Sequence, residues 1–222
     1  MVSEIKICGL STRETLDAAV ASGATMVGFV FFDRSPRAVT LGEAAALAGR
    51  TCGKAGIVAL TVDSPDDVLA RIAEDLRPDL VQLHGKETPE RAAEIRSRFA
   101  VRVMKAVGVA GAEDLAGARA YEGAVDALLL DAKPPKDADR PGGNGAAFDW
   151  RILDGFAPAV PWLLSGGLSP ANVADALAAS RPTGIDVSSG VESAPGVKDP
   201  RLIRAFIDAV RAAGRPRPAR AA

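Results

Sequence analysis

The sequence is poor in residues suited to metal and redox work. It holds one histidine, His84, and two cysteines, Cys8 and Cys52, which form no CxxC pair. That usage argues against a disulfide framework, and a lone histidine lacks partner ligands at metal-binding spacing. No Walker A sequence is present, and no dinucleotide glycine fingerprint opens a helix. We therefore expect no metal and no cofactor. Apolar runs stay well short of the ~20 residues a membrane span needs. The first residues, Met1 to Lys6, lack the apolar stretch of a signal peptide. Neither charge sign dominates: 27 Lys and Arg face 28 Asp and Glu. Nothing in that balance calls for nucleic acid or an anionic membrane as partner. The expected setting is a reducing cytoplasm, which keeps a functional thiol available.

What is present is an alternation of short apolar runs and longer helical patterns. Of 222 residues, 48% are hydrophobic and 25% charged, ordinary values for a globular chain. The runs at 5–8, 26–31, 56–62, 80–83, 102–107, 127–131, 162–165 and 184–187 read as strands. Several are rich in Val, Ile and Leu with little polar alternation, as strands covered on both faces require. Helix starts lie between them. Ser11-Thr12-Arg13-Glu14 offers a hydroxyl cap and a first-turn glutamate. Ser64-Pro65, Thr88-Pro89 and Ser169-Pro170 each put a capping hydroxyl before a proline at the first helical position. Leu202, Ala205, Phe206 and Ala209 mark the expected inner face of a last helix.

Eight strands, each followed by a helix, in this length fit a single TIM (β/α)8 barrel better than an open doubly wound sheet. The barrel is expected over residues 1–210, with a flexible C-terminal tail over 211–222. Residues 133–145, rich in Pro, Gly, Lys and Asp, follow the sixth strand and read as a long loop, a lid or a surface excursion.

In such barrels the strand C-terminal ends and the loops after them build the active site. That rule selects Cys8 after strand one, Arg37 after strand two, His84 after strand four and Asp131 at the end of strand six. It also selects Gly166 and Gly167 after strand seven, and Ser188, Ser189 and Gly190 after strand eight. The last two loops suit a phosphate, because successive glycines let backbone N–H groups approach an anion. A tight turn is the alternative for either loop alone. Asp131 has two open readings: a desolvated acid holding a proton for donation, or a carboxylate capping the next loop or pairing with Lys133. Cys8 is either a small buried hydrophobe or a reactive thiol that a neighbouring cation such as Lys6 biases toward thiolate. Arg37 offers a fork of donors suited to a carboxylate, or is a solvated loop residue. Cys52 lies away from the strand ends and is assigned no role.

These residues sit in stretches that resemble the phosphoribosylanthranilate isomerase family. Lys6-Ile7-Cys8-Gly9-Leu10 resembles its first-strand signature, and Ser35-Pro36-Arg37 its carboxylate loop. Gln82-Leu83-His84-Gly85 and Leu130-Asp131 are similar to its fourth and sixth strands. Gly142-Gly143-Asn144-Gly145 with Phe148-Asp149-Trp150 resembles its glycine loop and following helix. Ser165-Gly166-Gly167-Leu168, the run from Asp186 to Glu192, and Pro195-Gly196-Val197-Lys198-Asp199 complete the set. Two positions depart: Ser11 and Asn144 stand where the family pattern has threonine.

The resemblance implies an Amadori rearrangement of N-(5-phosphoribosyl)anthranilate in tryptophan biosynthesis, with Asp131 as acid, Cys8 as base and Arg37 on the substrate carboxylate. It adds Lys6, His84 and Asp186 as supporting residues. The implied partner is a small-molecule phosphosugar, on a monomer or homodimer. The rivals are another phosphosugar barrel of the tryptophan or histidine pathway and a non-catalytic phosphometabolite sensor. The histidine-pathway isomerases pair two acidic groups, and the first strand here has no aspartate.

Overall fold

A computed structural model of the chain describes residues 2–133, 142 and 147–214. Eight parallel strands close into a barrel in chain order. They are β1 (Glu4–Cys8), β2 (Met26–Phe31), β3 (Gly56–Thr61), β4 (Leu80–Leu83), β5 (Val103–Val109), β6 (Ala127–Ala132), β7 (Trp162–Leu164) and β8 (Gly184–Val187). Each pairs only with its chain neighbours, and β1 meets β8 to shut the ring, with Lys6 beside Asp186 at that seam.

Side-chain alternation divides the barrel. One parity faces the helices: Ile5, Ile7, Val27, Phe29, Ile57, Leu128, Leu130 and Ile185 join the outer core. The other faces the barrel axis, where Met26, Val58, Leu80, Met104, Leu129 and Leu163 pack as an inner plug. Both faces are therefore apolar low in the barrel, which explains the weak alternation in sequence. One step higher the inward parity turns polar: Lys6 and Cys8 on β1, Gln82 on β4, Asp131 on β6 and Asp186 on β8. The site is the upper storey of the column whose lower storey is the plug.

The helices around the barrel are α1 (Arg13–Ser22), α2 (Leu41–Ala48), α3 (Asp66–Arg71), α4 (Pro89–Arg98), α5 (Glu113–Arg119), α6 (Val173–Ser180) and α7 (Pro200–Ala213). Thr12 caps α1 by accepting from Thr15 N, and Gly23 ends it in the left-handed region at φ 89°. Thr88 caps α4 with Pro89 in its first turn, as its sequence predicts.

Several expectations are corrected. Pro65 itself is the residue before α3, and Ser64 does not cap it. Ser169-Pro170 opens a turn, and α6 starts three residues later behind Asn172. Among the described residues no α-helix follows β6; a 3₁₀ turn over Trp150–Leu153 takes that place. The inner stripe of α7 is Ile203, Phe206, Ile207 and Val210, with Ala205 exposed and Leu202 half-buried. The i, i+3, i+4, i+7 stripe of larger residues wins over one that includes two alanines. α7 also runs through Arg211–Ala213, inside the segment read as tail. Beyond Gly214, the remainder of that segment, and all of the 133–145 stretch except Lys133 and Gly142, lies outside the described residues, Asn144 included. A short antiparallel hairpin after β8, β9 (Glu192–Ala194) with β10 (Val197–Lys198), was not foreseen. No helix among the described residues is long and apolar enough to cross a membrane.

Candidate active site

The strand ends surround a cleft that Cys8, Arg37, His84, Asp131, Asp186, Gly166, Gly167, Ser188 and Ser189 all line. Sequence reasoning placed two further residues there that do not line it. Lys6 lies buried below the floor, and Gly190 lies behind the wall.

Lys6 Nζ stands 2.8 Å from Asp186 Oδ1 with no exposed surface. Ser165 Oγ donates to the other Asp186 oxygen at 3.0 Å. Burial opposes the Lys6 charge, but the attraction of Asp186 and Cys8 outweighs it and the ammonium is held firmly protonated. Lys6 thus sits as a cation beneath the Cys8 sulfur, as its sequence position suggested. Burial nonetheless pushes the Cys8 thiol up; Lys6 and Lys198 pull it down and Asp186 pushes it up again. The resting sulfur is a thiol with a cation waiting below it.

Lys133 pairs with Asp114 at the start of α5, at 2.5 Å, rather than with Asp131. Asp131 Oδ1 accepts from Ala132 N at 2.9 Å, and Oδ2 lies 3.3 Å from His84 Nε2. Gln82 Nε2 lies 3.1 Å from His84 Nδ1. With the amide donating there, His84 carries its proton on Nε2 and points it at Asp131. Gln82 Oε1 is buried without a partner among the described residues. Gly142 comes down on this pair so closely that a Cβ there would stand 2.8 Å from Asp131 Oδ2.

The two glycine and serine loops interlock. Gly166 and Gly167 take φ of 87° and 62°, which L side chains avoid. A Cβ on Gly190 would fall 1.8 Å from the Leu168 carbonyl oxygen, so only glycine lets the loop after β8 lie against the loop after β7. Gly190 serves the cradle by this close approach and not by facing the cleft.

Arg37 is buried on the opposite wall, its Nε 2.6 Å and Nη2 2.8 Å from the two Glu192 oxygens. Beside it Val30, Phe32, Leu60 and Val62 form an apolar wall. Sequence reasoning missed this wall, and quoted Gln82, Ser165 and Glu192 only within motifs. The signal was available: Val30, Phe32, Leu60 and Val62 share the inward parity of their strands. Among the described residues no group of three His, Cys, Asp or Glu is placed to hold a metal ion.

The family model described as N-(5'phosphoribosyl)anthranilate (PRA) isomerase matches residues 5–209. A relative of that name from Rhodopseudomonas palustris (strain HaA2) is 60% identical over 208 residues, 94% of this chain and 95% of its own. One from Mesorhizobium japonicum is 54% identical over 213 residues, 96% of this chain and 97% of its own. Among solved structures, the Thermotoga maritima phosphoribosyl anthranilate isomerase superposes with a TM-score of 0.86 at 36% identity, covering 96% of this chain and all (100%) of that one. A phosphoribosyl anthranilate isomerase in complex with reduced 1-(o-carboxyphenylamino)-1-deoxyribulose 5-phosphate gives a TM-score of 0.83 at 33% identity, again covering 96% and 100%. With a closed barrel, a thiol and a carboxyl at one cleft and a match along nearly its whole length, the chain belongs to the N-(5'-phosphoribosyl)anthranilate isomerase family.

Proposed function

We propose that this cleft carries out the Amadori rearrangement of N-(5'-phosphoribosyl)anthranilate to 1-(2-carboxyphenylamino)-1-deoxyribulose 5-phosphate, with Asp131 as acid and Cys8 as base. The chain is an isomerase of tryptophan biosynthesis, and its substrate is a phosphosugar. The observation that carries the assignment of roles is that Cys8 and Asp131, from β1 and β6, line one cleft bordered by an interlocked pair of glycine and serine loops.

Asp131 gives its proton to the ribose ring oxygen, the C1–oxygen bond breaks, and the nitrogen lone pair forms an iminium. His84 Nε2–H then faces the carboxylate that remains and stabilises it. Cys8, as thiolate, takes the proton from C2. The C2–H electron pair forms the enolamine, and the iminium is its sink. Tautomerisation gives the ketone. The Lys6 ammonium under the sulfur favours the thiolate, and the iminium in the cleft adds a second positive charge at the step that needs it. The Gly166–Gly167 and Ser188–Ser189 loops receive the phosphate. Arg37 receives the anthranilate carboxylate, and the wall of Val30, Phe32, Leu60 and Val62 takes the aromatic ring. Positioning supplies much of the remaining rate, because acid and base must both reach one sugar.

Base, acid and both anion sites come from one chain, so the reaction runs on a monomer or within a homodimer. It needs Cys8 reduced, which favours a cytoplasmic setting. The test is the change in fluorescence of the N-linked anthranilate group when purified protein meets freshly generated substrate. A rapid change is expected. Tight binding of the substrate with no turnover would replace the enzyme with a sensor, and turnover of the histidine-pathway aldose would broaden its specificity.

A further inference from the structure

The β9–β10 hairpin carries two buried charges that the rearrangement does not use. Glu192 and Lys198 face each other across its register, and both side chains are almost wholly buried. Glu192 Oε1 accepts from Arg37 Nε at 2.6 Å and from Lys198 Nζ at 2.7 Å. Its Oε2 accepts from Arg37 Nη2 at 2.8 Å and from Gly196 N at 3.1 Å. Lys198 Nζ also donates to the Ser188 carbonyl at 2.8 Å and lies 3.0 Å from Ser188 Oγ. Ser188 Oγ in turn donates to the Cys8 carbonyl at 3.1 Å. The chain of contacts therefore runs Arg37, Glu192, Lys198, Ser188, Cys8. A second contact ties the same hairpin to the Arg37 loop. Gly196, at φ 82°, sits so near Pro36 that a Cβ would stand 2.5 Å from the Pro36 carbonyl oxygen.

Buried ion pairs rarely earn their place through stability, since well-packed apolar residues often do as well. What this one does is mechanical. Glu192 grips one edge of the Arg37 guanidinium and fixes its plane at the cleft wall. Lys198 spends its donors on Glu192 and on the Ser188 corner of the loop after β8. The attraction of Arg37 and Lys198 outweighs burial and holds the Glu192 carboxyl below its usual range, while burial pushes the Lys198 ammonium down against the pull of Glu192.

We propose that Glu192 and Lys198 are positioning residues that link the carboxylate-binding Arg37 to the phosphate-binding loop at Ser188, so that the two anionic ends of the substrate are gripped as one rigid unit. This rests on the assignment of those two ends given above. A substrate with a carboxylate at one end and a phosphate at the other is then measured for length as well as for charge.

Two variants test the link, each read at the end it does not touch. Glu192→Gln alters a side chain that bonds Arg37 and meets Ser188 through Lys198, and leaves the backbone of the loop in place. It is expected to raise KM roughly tenfold while kcat moves less than about threefold, and to weaken inhibition by inorganic phosphate as well as by anthranilate. The Lys198 side chain bonds Ser188 and meets Arg37 through their shared partner Glu192, so Lys198→Met is expected to weaken inhibition by anthranilate as well as by phosphate. If each variant affected only the probe at its own end, or if KM stayed unchanged, the link would be overturned while the enzyme assignment stood. If the wild-type chain did not convert the substrate at all, the assignment itself would fail first. Should Lys198→Met not fold, Lys198→Gln is read in the same way.

Discussion

Cys8 sits under two opposed influences: its burial holds the sulfur as a thiol, and the ammonium of Lys6 draws it toward thiolate. The sign of the pH dependence follows. Burial prevails and the thiol's pKa lies above its ordinary value, so the fraction of thiolate in the free protein grows as pH rises through neutral into the alkaline range. kcat/KM is expected to climb over that interval, and a profile flat from neutral to alkaline pH would remove the thiol as base. Removing either reacting group has a larger effect. Cys8→Ala and Asp131→Asn are each expected to lower kcat by about 10²–10⁴-fold, the usual worth of a general base or acid, with the melting temperature little changed. A Cys8→Ala enzyme of near wild-type turnover would sink the proposal. At this scale the sequence was informative wherever a residue type is chemically rare. One histidine and one cysteine at strand ends stand out; Gln82, Ser165 and the apolar wall do not, because their types are common. Their inward parity becomes meaningful only once the closed barrel defines which parity is inward.

At the scale of elements, the strands were legible because each is a short, dense apolar run. Their observed bounds differ from the sequence reading by no more than two residues, at β5, where 102–107 becomes Val103–Val109. The β9–β10 hairpin was invisible because strands of three and two residues are too short to show a period. The 3₁₀ turn before β7 was read as a helix because Phe148-Asp149-Trp150 resembles the helix start of the family; Asp149 accepts from Arg151 N, but the turn stays 3₁₀. Helix α7 gives the cleanest check on the corrected inner face. Phe206→Ala empties a fully buried site against the outer core and is expected to cost about 3–5 kcal/mol. Leu202→Ala, half-buried one position off the stripe, is expected to cost much less. Equal losses in urea unfolding would restore the stripe first read from sequence.

For the whole molecule, the β1–β8 seam is where closure and chemistry coincide. Lys6 and Asp186 bridge it inside the barrel, directly under Cys8. Lys6→Met leaves the Asp186 carboxylate buried and unpaired and is expected to destabilise the fold by about 3–5 kcal/mol. The double variant Lys6→Met with Asp186→Leu removes both charges and is expected to recover most of that loss. It would not recover turnover, because the cation under the sulfur is gone. Urea midpoints and kcat/KM measured on the same three proteins separate the two effects. A double variant that regained activity along with stability would show the pair to be a closure device only.

The stacking of Gly190 on the Leu168 carbonyl has a consequence for rebuilding such barrels. The seventh and eighth βα units cannot be exchanged independently with those of another barrel, however well the strands match. A chimera with its junction between them inherits half of a mated surface. Engineers who graft these two loops onto a new scaffold must move residues 165–190 as a single cassette, and families that shuffle half-barrels would be expected to cut on the far side of β7.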